Sequence, residues 1–344
     1  MTQDINLNKT VKIFNRRYLG SKTKLIPFIS DIVASECKNT KSFADIFGGT
    51  GVVASFFSNS HKIIINDLLS SNFHAYQTWF GKEFVDSSKI KNIIDEANLN
   101  ICKEDNYFSK NFSNKYFSKE NAKKIGSFRE KIEKLFSENL LTSREKSILL
   151  TSLIYAADKV ANTCGHYDAY RKKMGMNNDI IFQVPDYNEN KVKHAKIYNE
   201  DANSLVKRIK SDIVYIDPPY NSRQYGDTYH LLENISEWNK PKLFGVAKKM
   251  KDRKHLKSMY CYKSAPLIFD ELIQNIKSKF IIVSYNNMET RGNARSQSKI
   301  SKQEIMQILS KRGSVKVFEK DFKQFTTGKT KKGAHKELLY VCKI

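Results

Sequence analysis

The tetrapeptide Asp217-Pro218-Pro219-Tyr220 follows the apolar strand-like run Asp212 to Ile216 and places two of the chain's six prolines in one rigid turn. Ligand sites of α/β sheets lie at such C-terminal strand ends. The turn offers two hydrogen-bond acceptors, the Asp217 carboxylate and the Pro218 carbonyl, which has no ladder partner once the strand ends. Two adjacent acceptors suit an aromatic exocyclic amine such as adenine's, a poor nucleophile because its lone pair is delocalised into the ring. If each acceptor takes one N–H, the nitrogen is held pyramidal and its lone pair can point at an electrophilic methyl. Positioning of this kind gives catalysis without a covalent intermediate. Tyr220 would then stack on the base, a contact worth about 1 to 3 kcal/mol in comparable platforms.

A second constellation lies near the N-terminus. Phe43 to Gly51 reads Phe-Ala-Asp-Ile-Phe-Gly-Gly-Thr-Gly, three glycines directly after a predicted strand. A backbone turning there into a helix lets a cofactor approach closely. Asp67 ends the next strand about 20 positions on, where an acid can accept hydrogen bonds from both hydroxyls of a ribose. Taken alone, the glycine turn serves a nicotinamide enzyme equally well, or is an ordinary βα turn.

The elements that must position these residues are legible from periodicity. A helix over Lys24 to Glu36, strands at Ser42 to Phe47 and Lys62 to Ile65, and a helix from Val52 make a β-α-β unit. Residues 83–195 change to Lys-, Asn- and Ser-rich segments with helical spacing, Asn121 to Ser137 and Ser143 to Asn162 above all, with Ser143 and Lys146 opening the latter. The α/β rhythm returns with strands at Ile213 to Ile216, Phe280 to Ser284 and Leu338 to Cys342, and helices over Leu267 to Ile276 and Lys302 to Leu309. The expected fold is thus a Rossmann-like α/β core, residues 10–80 plus 196–344, interrupted at 81–195 by a mainly helical domain. A chain of 344 residues with 40% hydrophobic residues can bury both.

Composition narrows the function. The 59 Lys plus Arg against 36 Asp plus Glu leave a net charge of +23, a field able to gather a polyanion. A lysine-rich codon bias would raise the same count, so charge alone does not decide. No run approaches the length of a membrane helix, and the opening MTQDINLNKTVKIF lacks a signal-peptide core; a soluble cytoplasmic protein is expected. Cys37, Cys102, Cys164, Cys261 and Cys342 never pair as Cys-x-x-Cys, which predicts reduced thiols and no metal site.

With these motifs in hand, the chain resembles the alpha-class, Dam-like adenine-N6 DNA methyltransferases of restriction-modification systems and solitary methylases. Arg17-Tyr18-Leu19-Gly20-Ser21-Lys22 resembles their N-terminal motif, so the resemblance assigns Tyr18 and Lys22 to S-adenosylmethionine. It likewise assigns Asp45, Phe47, Gly49 and Gly51 to the methionine-binding turn, Asp67 to the ribose, Asp201 to the cofactor's adenine, and Asp217 to Tyr220 to the reaction. Tyr18 stands where many relatives have tryptophan and Asp45 where many have glutamate; both keep the chemistry. The order of motifs, with a long insertion before Asp-Pro-Pro-Tyr, is the alpha arrangement, in which the insertion is a target-recognition domain. The implied partner is double-stranded DNA, with a cognate restriction endonuclease as a further possibility and no obligate protein partner.

Two segments extend this reading toward DNA. Asn221 to His230 resembles the family's loop beside the flipped base, with Arg223 and Tyr225 as candidate contacts. In the insertion, Asn162 to Lys173 mixes aromatic and basic residues, making Tyr167, Tyr170, Arg171 and Lys172 candidate readers. A helix end with ordinary surface charge fits the latter equally. His166 and His230 are expected to be structural, because the sulfonium leaves neutral and the amine sheds its proton afterwards.

Competing classes fit less well. A cytosine-C5 enzyme needs a cysteine nucleophile, and no Pro-Cys pair occurs. Cytosine-N4 enzymes more often show Ser-Pro-Pro-Tyr, an RNA enzyme does not account for the long insertion, and a non-enzymatic DNA-binding protein leaves Tyr18, Lys22, Asp67 and Asp217 idle. The expected activity is therefore methylation of a flipped adenine at N6.

Overall fold

A computed structural model describes residues 10–172, 175, 178–187, 195–286, 298–321 and 336–344. Lys173 and most of the basic run Lys329 to Lys336 lie outside the described residues. In chain order the elements begin with α1 (Ile26–Glu36), β1 (Ser42–Asp45), α2 (Val52–Phe57) and β2 (Lys62–Asn66). Five helices follow, α3 (Ser70–Phe80), α4 (Ser87–Leu99), α5 (Tyr107–Phe112), α6 (Lys119–Ser137) and α7 (Ser143–Val160). Then come β3 (Ala195–Tyr198), α8 (Ala202–Val206), β4 (Ile213–Ile216), α9 (Tyr225–Thr228), α10 (His230–Glu237), β5 (Leu243–Phe244) and β6 (Lys249–Met250). The chain ends with α11 (Ala265–Asn275), β7 (Phe280–Asn286), α12 (Lys302–Ser310), β8 (Ser314–Asp321) and β9 (Lys336–Lys343).

These elements form two compact units. The α/β unit takes the described residues of Ser21–Leu69, Val192–Thr228 and Lys254–Ile344. Its seven-stranded sheet runs β3-β2-β1-β4-β7-β9-β8. The first five strands are parallel, and β9 is antiparallel to both β7 and β8. Apolar runs explain why β2, β4 and β7 are central: a strand covered on both faces needs apolar side chains pointing both ways, and β4 is buried along its whole length, while β1 is buried from Phe43 to Asp45. Chain order reverses at β1, which lies between β2 and β4, and such a switch point opens a crevice at the carboxyl ends of the two strands. Register levels Asp45 with Ile65 of β2 and Tyr215 of β4. The glycine turn and the Asp-Pro-Pro-Tyr turn thus leave adjacent strands within two residues of the same level.

Helices α8, α11 and α12 cover this sheet, burying Leu205, Phe269, Leu272, Ile305 and Leu309 against Ile216, Val283 and Tyr340. The architecture is the mixed α/β fold with a mostly parallel sheet that the sequence predicts. Strand β1 stops at Asp45 rather than Phe47, because the chain turns there into the glycine loop; the Ile46 amide still donates to the Tyr215 carbonyl at 3.3 Å.

The helical unit takes the described residues of Met1–Gly20, Ser70–Lys191 and Tyr229–Arg253. It thus includes α3, α10 and the β5–β6 hairpin, which the sequence reading had grouped with the core. Its centre is α7, buried almost continuously from Arg144 to Asp158. The N-cap of α7 is Thr142, one residue before the expected start, and Thr142 and Glu145 form a reciprocal capping box. Among the described residues no helix is long and apolar enough to cross a membrane.

Candidate functional site

In the α/β unit the chain leaves β1 through a turn that needs glycine. Gly49 and Gly51 have φ of 51° and 80°, a region L side chains enter only with strain. The turn is pinned by backbone bonds from Gly48 N to the Asn66 carbonyl (2.8 Å) and from Gly51 N to the Gly48 carbonyl (2.7 Å). Asp67 adds a side-chain tether: its Oδ2 accepts from Gly49 N and its Oδ1 from Leu69 N, both at 2.9 Å. The residue expected to bind a ribose therefore also fixes the glycine turn. Asn66 locks the next loop by donating to the Ile46 and Glu200 carbonyls. Asp201 is exposed and caps α8, its Oδ1 accepting from Ser204 N at 3.0 Å. Phe47 packs edge-on against Tyr260, ring centroids 5.2 Å apart.

Asp45 is 1% exposed, and neither carboxylate oxygen makes a well-formed hydrogen bond among the described residues. Burial first, then repulsion from Asp217 and Asp67, hold it well above the usual carboxylate range, with the Phe47 and Ala54 amides only partly offsetting this. A buried acid so placed is stabilised by a cationic hydrogen-bond donor.

At the end of β4 the polar groups converge on Lys22. Its Nζ lies 2.9 Å from Asp217 Oδ1, 3.2 Å from Glu337 Oε1 and 2.5 Å from the Tyr220 hydroxyl. The Tyr220 hydroxyl is in turn 2.5 Å from Asp217 Oδ1 and 3.0 Å from Glu337 Oε1. Ser284 of β7 donates to the same Glu337 oxygen at 2.7 Å. Burial opposes the Lys22 charge, but Asp217 and Glu337 outweigh it and raise its pKa. Asp217 is shifted upward, by burial before all else and against the pull of Lys22. The Tyr220 ring is tilted against Tyr285 with centroids 4.7 Å apart, and its carbonyl accepts from the Tyr285 hydroxyl and Lys299 N.

The structure thus brings Lys22, Asp217 and Tyr220 together and adds Glu337 and Ser284, which the sequence reading missed. Their only signal is a lone acid in the otherwise apolar stretch of β9 and a serine in the fully buried part of β7. Tyr225 belongs to the same neighbourhood: burial raises its phenol pKa, and Asp217 and Asp67 both add to the shift. Arg223 is exposed, its carbonyl accepting from Cys261 Sγ.

Other expected residues lie in the helical unit. Tyr18 stacks on Tyr229, ring centroids 4.8 Å apart and planes 5° off parallel, with the Arg16 guanidinium over both rings. Tyr167 is fully buried, its hydroxyl 3.1 Å from Asp158 Oδ1, so it is a core residue and presents no surface for reading DNA. Tyr170 is half-buried and edge-on to Tyr116, while Arg171 and Lys172 are exposed. His230 is buried with a ring nitrogen 2.8 Å from the Ala247 carbonyl.

Similarity to known proteins matches this arrangement. Residues 18–325 match the family described as D12 class N6 adenine-specific DNA methyltransferase. The modification methylase StsI of Streptococcus sanguinis is 40% identical over 79% of this chain and 44% of its own length. The modification methylase LlaI of Lactococcus lactis subsp. lactis is 30% identical over 94% of this chain and 53% of its own. The type II methyltransferase M.NlaIII of Neisseria lactamica is 29% identical over 93% and 95%. The chain therefore spans about half the length of the first two and nearly all of the third. With the family match running from the N-terminal motif past β8, the chain belongs to the D12 class N6 adenine-specific DNA methyltransferase family.

Proposed function

We propose that this chain transfers a methyl group from S-adenosylmethionine to N6 of an adenine in duplex DNA, in a restriction-modification setting. The observation that supports it best is the pairing of the Asp217 turn with the glycine turn across the β1–β4 switch point, beside a buried acid that lacks a strong donor. The residues present fit this cofactor. Asp45 suits its α-ammonium, Asp67 follows the next strand where an acid can meet ribose hydroxyls, and Gly49 and Gly51 let the backbone approach it. Asp45 and Asp67, close enough to repel one another, give the glycine-turn side of this site an acidic lining that favours a sulfonium. When bound, S-adenosylmethionine supplies an electrophilic methyl whose leaving group is a neutral thioether.

The chain's own residues hold the amine. Asp217 accepts one N–H of the target base and the Pro218 carbonyl the other, which frees the nitrogen lone pair. Lys22 fixes the Asp217 carboxylate and favours its charged form against the opposing effect of burial. The base must leave the helix stack to reach this turn, at a cost of a few kcal/mol met by contacts to the DNA backbone. Exposed Arg223, Arg171 and Lys172 are candidates for those contacts, and the helical insertion for target recognition. A cognate endonuclease is the partner such a role implies.

The experiment is direct. Purified protein incubated with labelled S-adenosylmethionine and mixed-sequence DNA should leave N6-methyladenine, and Asp217→Ala should abolish transfer while duplex binding persists. Absence of N6-methyladenine would reject the reading, and full activity of Asp217→Ala would remove the amine-holding role.

A further inference from the structure

The Lys22 cluster contains a conflict that the amine-holding role must resolve. Asp217 Oδ1 already faces Lys22 Nζ at 2.9 Å and the Tyr220 hydroxyl at 2.5 Å, so one of its two oxygens is occupied by donors of the protein itself. The Tyr220 hydroxyl has one proton and two carboxylates within reach, Asp217 at 2.5 Å and Glu337 at 3.0 Å. It can satisfy only one at a time. Lys22, with three protons, has three acceptors: Asp217, Glu337 and the Tyr220 oxygen. Glu337 is anchored independently by Ser284 on the neighbouring strand β7, at 2.7 Å. It is 6% exposed and sits near the start of β9.

We infer that Glu337 is a positioning residue, a reserve acceptor that takes over the Tyr220 hydroxyl, and more of Lys22, when Asp217 turns to the target amine. The exchange makes and breaks only hydrogen bonds: the phenolic O–H rotates from Asp217 Oδ1 toward Glu337 Oε1 and stays covalently intact. Without Glu337 the tyrosine proton has no second acceptor and stays on Asp217 Oδ1, drawing charge from the carboxylate whose other oxygen is left to hold the substrate N–H. The inference rests on the methyl-transfer reading, and it concerns the chemical step, with no contact to the cofactor assigned to Glu337.

Single-turnover methyl transfer, cofactor Kd and melting temperature of the full chain test it with Glu337→Ala, Glu337→Gln and Tyr220→Phe. Glutamine keeps an acceptor oxygen and loses the charge; alanine loses both. We expect Glu337→Ala to slow the single turnover about tenfold or more, the factor equivalent to one modest hydrogen bond, with cofactor Kd within about threefold of wild type. Glu337→Gln should stay within about threefold of the wild-type rate. In the Tyr220→Phe background the alanine penalty should shrink, because the phenolic proton is gone. A wild-type rate for Glu337→Ala overturns the inference. So does a Glu337→Gln rate about tenfold or more below wild type, which would mean that the charge and not the acceptor matters; this comparison with wild type decides even if Glu337→Ala fails to fold. An undiminished alanine penalty in the Tyr220→Phe background also overturns it. An inactive wild type rejects the methyl-transfer reading itself.

Discussion

Buried charge in this chain is settled residue by residue, and Glu233 is where the balance is closest. Lys22 meets two carboxylates, and the Arg16 guanidinium bonds Asn72 and Ser71 while lying over two aromatic rings. Glu233, fully buried in α10, is held by the Ser71 side chain and by the backbone amides of Ser70 and Ser71 at 2.7 and 3.1 Å, at the start of α3. Burial dominates over these bonds and pushes its pKa up to about 7. An acid whose folded-state pKa lies above its unfolded value contributes stability that is complete below the unfolded pKa and is lost as pH rises through the folded one. The helical unit should therefore lose stability between about pH 4.5 and pH 7, by up to about 3 kcal/mol at 1.36 kcal/mol per unit. Glu233→Gln cannot titrate. Melting curves at pH 5 and pH 8 should show the wild type losing more than the variant; parallel losses would mean that another group sets the dependence.

At the scale of elements, the helical unit is tied together at the start of α7. Glu145 closes the capping box on the Thr142 amide at 2.9 Å and also accepts from the Asp86 amide at 3.0 Å and Lys89 Nζ at 2.7 Å, joining α7 to the start of α4. Thr142→Ala removes one cap and should cost about 1 kcal/mol. Glu145→Ala leaves two amides and an ammonium without their acceptor and should cost more than twice as much. Both tryptophans, Trp79 and Trp238, lie in this unit, so denaturant unfolding followed by their fluorescence measures it. Equal effects of the two substitutions would show that Glu145 acts only as a cap. This level of structure was partly legible in the sequence. Strands β2, β4 and β7 announce themselves because two-sided burial demands apolar runs, and β1 because Phe43 and Ala44 lead directly into the glycine turn. Strand β8 does not, since an edge strand with half-exposed alternation looks like surface. The Asp-Pro-Pro-Tyr turn was readable because its four residues are contiguous. Glu337 and Ser284 were not, because their meaning comes from meeting Lys22 and Tyr220, residues far away in the chain that only the sheet topology brings near. Tyr167 misled for a related reason: an aromatic beside basic residues has the composition of a reading surface, yet its hydroxyl turns inward to Asp158.

For the whole molecule the question is where the positive field resides. The segment 81–195, expected to be the reader of DNA, holds 20 Lys plus Arg and 16 Asp plus Glu, close to neutral. Residues 254–344 hold 19 against 7 and supply about half of the +23 excess. The C-terminal quarter of the chain therefore carries about as much of the positive excess as all the rest, and the segment expected to read DNA carries little of it. A polyanion gathered by such a field releases counterions as it binds, so affinity falls steeply with salt. With about four phosphates neutralised, raising monovalent salt from about 50 to 200 mM should weaken duplex binding roughly a hundredfold, since the slope is about 0.9 per phosphate. Cofactor affinity, set by buried groups that salt screens poorly, should change far less over the same range. Paired titrations of DNA and S-adenosylmethionine at several salt concentrations separate the two. Duplex affinity that moved by less than about threefold would detach the net charge from DNA binding and leave base and loop contacts as its source.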